Sequence, residues 1–181
     1  LGTVCRKLLE DVGIYVGSHV TQIHHVKNTI SYDSSISPVE LNKKADASPV
    51  RCLDKKAEEK MIKIIDDAKS AGDSVGGIFE VIATGLPYGL GSPMQWDRKL
   101  QAKITSMMMS VNAFKGIDIG GGMNESEKWG SEVHDEIGWE KNKYIRYSNN
   151  AGGLEGGMTN AQPIVLKMAM KPIATLIKPL R

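Results

Sequence analysis

The chain has 181 residues, 41% hydrophobic and 24% charged, a balance ordinary for one soluble globular domain large enough to bury a core. Its 23 basic and 21 acidic residues are interspersed and leave a formal charge of +2, which argues against a nucleic-acid or anionic-membrane partner. The longest apolar runs, such as residues 78–83 with Glu80 inside, fall far short of the ~20 residues that span a bilayer, and no basic-then-apolar leader opens the chain. Cys5 and Cys52 stand alone, with no C-x-x-C, which predicts a reduced cytoplasmic protein and no metal site.

Residues 2–12 predict the end of an amphipathic helix, with Val4, Leu8, Leu9 and Val12 at helical spacing and Gly13 as the stop. No capping residue precedes it, and Pro179 to Arg181 form no winding-down tail, so both ends read as cuts through a longer sequence. Ile14 to Val26 alternates as a strand. Residues 27–52 are polar and predict a long surface connection, with a short helix after Pro38.

The strongest helix signal runs from Asp54, a natural cap, to about Ala71 before Gly72, with Ala57, Met61, Ile64, Ile65 and Ala68 on one stripe. A strand follows at residues 77–84, then a Gly/Pro-rich turn over 85–93. A second helix is predicted at residues 97–109, with Leu100, Ile104, Met107, Met108 and Val111 on its buried side. Residues 117–119 form a short strand, glycine and polar residues dominate to Gly157, and residues 163–170 are the last strand. The uneven spacing predicts an α+β fold, with antiparallel sheets packed on helices in a single domain over 1–181.

The four histidines make a poor metal set. His24 and His25 are adjacent, so a strand would point them to opposite faces; His19 shares that strand, and His134 sits beside Asp135 and Glu136 in a polar loop. Glu80 reads as an outward residue on a half-buried strand rather than as a paired buried acid. The run Asn149 to Gly157 is either an anion-binding concavity of backbone N–H groups or a flexible loop. Lys171, closing the last strand, can meet a phosphate as a point charge, though a lysine in such a place is more often simply solvated. Neither G-x-G-x-x-G nor G-x-x-x-x-G-K-[ST] occurs, so dinucleotide and nucleoside-triphosphate folds lose their main support.

Four linked stretches carry more information: residues 77–93 (GIFEVIATGLPYGLGSP), 110–120 (SVNAFKGIDIG), 130–137 (GSEVHDEI) and 149–171. In this order and spacing the chain resembles the central part of chorismate synthase. The resemblance implies a β-α-β sandwich, a homotetramer, and elimination of phosphate from 5-enolpyruvylshikimate 3-phosphate to chorismate with reduced FMN. NADP accompanies those family members that also reduce their own flavin. The family's flavin-contacting positions fall on Asn112, Ala113, Gly156, Lys171, Pro172, Ile173, Ala174 and Thr175, with Asn150 a weaker candidate for the substrate pocket. Ile173 and Ala174 replace the polar residue usual after Lys-Pro, so polar contacts there would come from the backbone or Thr175.

The family's catalytic histidines and most of its arginines match no position here, so no catalytic residue is assigned. The resemblance therefore leaves two functional expectations. One is a chorismate synthase; the other is an incompetent fragment that keeps flavin- or phosphate-binding and assembly surfaces only.

Overall fold

The computed structural model describes residues 2–30 and 32–179. A five-stranded antiparallel sheet organises the molecule. Its strands are β1 (Tyr15–Ile23), β2 (Val26–Lys27), β3 (Gly77–Thr84), β4 (Phe114–Ile119) and β9 (Ile164–Met170), arranged β2-β1-β3-β9-β4. The strands β5 (Ile137–Glu140) and β6 (Lys143–Arg146) form one separate hairpin, and β7 (Leu154–Glu155) and β8 (Met158–Thr159) another. The helices are α1 (Gly2–Asp11), α2 (Pro38–Asp46), α3 (Lys55–Ser70), α4 (Leu100–Met109) and α5 (Gly130–Val133). No helix among the described residues is long and apolar enough to cross a membrane.

Alternation gives the sheet two unlike faces. On one, α3 packs Ala57 and Met61 over Val20 and Ile23, while α4 packs Leu100 and Ile104 over Val81, Leu166, Ile117 and Ile119. Helix α3 forms where its caps predict: the Asp54 carboxylate accepts the Lys56 and Ala57 N–H groups, and Gly72 follows in the left-handed region. The other face carries His19, Glu80, Lys167 and Asp118 in direct cross-strand register.

Several expectations need correction. The segment 27–52 is not surface throughout, because α2 buries Pro38, Leu41 and Ala45. It also covers the outer edge of β1, where the Asn42 amide donates to the Val16 carbonyl at 2.9 Å and accepts the Ser18 N–H at 3.1 Å. This side chain replaces a missing strand and blunts an edge. The strand expected over 14–26 breaks at His24, whose φ of 52° turns the chain between β1 and β2. His24 and His25 therefore do not point apart; their Nδ1 atoms meet at 2.7 Å.

Helix α4 begins at Leu100, after a separate 3₁₀ turn at Trp96–Arg98, because Lys99 is extended. Met107 and Val111 are 71% and 48% exposed rather than buried, since Leu100 and Ile104 alone lead the stripe onto the sheet. Strand β4 starts earlier than its apolar residues suggest, because a register irregularity between Phe114 and Gly116 hides the alternation. The stripe on α1 exists, but Val4, Leu8 and Val12 face outward.

Candidate functional site

The positions singled out by resemblance fall into two groups at opposite ends of α4. The first is at the Phe114–Met170 end of the sheet. There the chain leaves α4, passes Asn112 and turns through Ala113 at φ 76°, and the Ala113 carbonyl accepts the Lys171 N–H at 2.9 Å. Two stretches nearly sixty residues apart thus meet through one backbone bond. The strand end is held closely: a Cβ on Gly76 would meet the Met170 carbonyl and the Pro172 ring. Ser74 Oγ donates to the Ile173 carbonyl at 2.7 Å, which uses the acceptor that residue could otherwise offer a ligand. Lys171, Pro172, Ile173, Ala174 and Thr175 are all exposed, as is Asn112. Lys171 has no carboxylate at salt-bridge distance among the described residues.

Gly156 belongs to the other group. It sits in the β7–β8 turn at φ 58° with open space where a Cβ would lie. The next carbonyl, that of Gly157, accepts the Leu100 N–H and so fixes this turn to the first residue of α4. The ten residues of α4 then separate Gly156 from Asn112 by about 15 Å. Asn150 is also remote from Lys171, since its carbonyl accepts the Gly121 N–H beyond the far end of β4.

The glycine-rich run is a concavity, and the chain fills it itself. Asp135 accepts Ser148 Oγ at 2.5 Å and the Asn150 N–H at 2.7 Å on one oxygen, and the Ala151 N–H at 3.0 Å on the other. The Gly152 and Gly153 N–H groups go to the carbonyl and side-chain oxygens of Asn149. An internal carboxylate thus stands where an external anion was one of two expectations. Burial pushes the Asp135 carboxyl upward, but the Ser148, Ala151 and Asn150 bonds and the Arg146 charge outweigh it and hold it below the ordinary 3.8.

Glu80 corrects a second expectation. It is buried, and its Oε2 lies 3.0 Å from His19 Nε2, whose side chain is fully enclosed. Sequence alternation puts both residues on strands but cannot supply the β1–β3 register that brings them together. His134 ends α5, where its N–H donates to the Gly130 carbonyl.

An antiparallel sheet with helices packed against it, its last strand followed by a backbone-clamped loop that opens on Lys171, defines an α+β protein. Comparison with known proteins gives the family. The chorismate synthase family model matches residues 1–181. "Chorismate synthase 1" of Bacillus cereus (strain ATCC 10987 / NRS 248) is 55% identical over 181 residues, covering 99% of this chain and 46% of the relative. "Chorismate synthase" of Listeria welshimeri is 51% identical, again covering 46% of the relative. A solved structure, "Crystal Structure of Chorismate Synthase", superposes with a TM-score of 0.87 at 44% identity, covering 96% of this chain and 54% of that one. The chain belongs to the chorismate synthase family, and it spans about half the length of the curated relatives it matches.

Proposed function

We propose that this segment serves a chorismate synthase, which eliminates phosphate from 5-enolpyruvylshikimate 3-phosphate to give chorismate and requires reduced FMN. The reading includes a cytoplasmic homotetramer, with NADP as the nucleotide where the flavin is reduced in place. The observation that carries it is the Lys171 N–H to Ala113 carbonyl bond, which brings the start of the Lys171–Thr175 stretch against the Asn112–Ala113 turn. Reduced flavin, when bound, supplies transient electron density for departure of the phosphate.

The residues present fit such a group. Lys171 offers an ammonium with no carboxylate partner among the described residues, suited to the phosphate or to the charge of a reduced flavin ring. Asn112 offers an amide on an exposed turn, and Thr175 an exposed hydroxyl. The Ser74 bond fixes the backbone at Ile173, so Ile173 and Ala174 contribute shape and N–H groups rather than side-chain polarity. Family membership and the 0.87 superposition support the same reading. Gly156, about 15 Å away along α4, would touch a different part of the cofactor or a cofactor held by another copy.

The first test measures anaerobic phosphate release from 5-enolpyruvylshikimate 3-phosphate by this chain and by a version extended to the length of its relatives, each with and without reduced FMN. Flavin-dependent release by either supports the proposal. Release by neither sinks it, and reduced-flavin binding without release by the extended version favours an incompetent binding fragment. In the extended version Lys171→Met should weaken reduced-FMN affinity by about tenfold, the value of one charge-assisted hydrogen bond, whereas unchanged affinity removes Lys171 from the site.

A further inference from the structure

Lys167 stands in the middle of the sheet's polar face, flanked by two carboxylates yet paired with neither among the described residues. Register places it between Glu80 on β3 and Asp118 on β4, and His19 on β1 completes a row across four strands. His19 Nε2 claims Glu80 at 3.0 Å, and Lys167 forms no salt bridge among the described residues. The Asp118 carboxyl lies against the Gly122 backbone, where a Cβ would collide with it.

This row floors a cleft of about 460 Å³, walled by Lys27, Asn28 and Asn124. Two residues lining it, His19 and Asn28, each carry a buried polar atom without a partner among the described residues, Nδ1 and Nδ2 respectively. His19 is 1% exposed, so its orphaned nitrogen has no compensation from bulk water. Because Nε2 faces an acceptor-only carboxylate, it carries the hydrogen; Nδ1 then accepts when the ring is neutral and donates when it is charged. The Asn28 amide nitrogen and the two ammonium groups only donate. Donors gathered around one concave space favour an acceptor-rich ligand. Asp118, the floor's remaining acceptor, suits a hydroxyl. Two lysines against Glu80 and Asp118 leave the cleft near neutral, which disfavours a ligand of high charge and leaves the individual donors to orient a small one.

We propose that this cleft binds a small hydroxylated oxyacid, with its anionic oxygens on Lys167 and Asn28 and a hydroxyl on Asp118. Its volume lies in the range of small-molecule sites. The inference does not depend on flavin binding, since Lys167 is about 13 Å from Lys171 along β9.

The test titrates the chain with glycerate and, separately, with inorganic phosphate, against chloride at matched ionic strength, while following the His19 ring nitrogens by NMR. A saturable shift with either probe but not with chloride is expected, and the responding probe tells a carboxylate ligand from a phosphate. Lys167→Met should weaken that binding by about tenfold or more, with the melting temperature of the free protein unchanged. Asn28→Leu provides the same reading if the lysine variant fails to fold. No saturable change at His19 with either probe, or both variants binding as tightly as the parent, overturns the proposal. Reduced-FMN affinity is expected to be unchanged in Asn28→Leu, which separates this site from the proposed flavin surface.

Discussion

Removing one member of the buried His19–Glu80 pair should cost far more than removing both. His19 is 1% exposed and Glu80 6%, and their side chains meet at 3.0 Å between Nε2 and Oε2. Glu80→Leu leaves both ring nitrogens of His19 buried without partners among the described residues, because Nδ1 already lacks one there. Uncompensated burial of this kind costs about 3–5 kcal/mol. His19→Leu strands the Glu80 carboxylate, but Lys167 sits opposite in register and can swing toward it, so a smaller loss of about 1–3 kcal/mol is expected. The double variant leaves neither orphan and should fall within about 1 kcal/mol of the parent, since an apolar pair often replaces a buried ionic one without loss. Urea unfolding of the four proteins, followed by circular dichroism, measures the cycle. Losses in the single variants that add in the double to within about 0.5 kcal/mol would show that the two side chains do not interact, and would refute the buried pair.

Leu41→Ala tests whether residues 27–52 are structural: with the side chain 1% exposed, a loss of about 2–5 kcal/mol in urea unfolding is expected, while a loss typical of surface positions would restore the surface connection. Asp135→Asn should destabilise the protein near neutral pH by about 1–3 kcal/mol by weakening three hydrogen bonds to residues 148–151. The folded Asp135 carboxyl lies below its ordinary 3.8, so its contribution is fully present above that value and is lost as pH falls through the lower folded one. The gap between parent and variant should therefore close only in strong acid; a gap that does not depend on pH would mean that the carboxylate charge is irrelevant.

Local signals carried much of the secondary structure. Asp54 and Gly72 bracket α3 because capping is decided by neighbours in sequence. At His24 a non-glycine residue enters the left-handed region, which carries no compositional mark, so the turn reads as strand in the sequence. Met107 and Val111 were misplaced because periodicity identifies a stripe but not its width. Pairwise register was the larger omission. The row from His19 to Asp118 draws one residue from each of four strands, and nothing in any single strand reveals its partners.

The glycine-rich segment shows why residue type underdetermines a binding loop. Its backbone does form the concavity that its composition allows, yet Asp135, fourteen residues before Asn149, supplies the anion. Lys171 presents the opposite case. Nothing around it in sequence separates it from an ordinary solvated lysine, but the Ala113 bond sets its backbone beside Asn112, and its ammonium forms no salt bridge among the described residues. An anion site needs unmet donors as well as available ones. By that criterion the Lys171 end and the Lys167 cleft remain open to ligands, while the loop that looked most like a phosphate cradle is already satisfied from within.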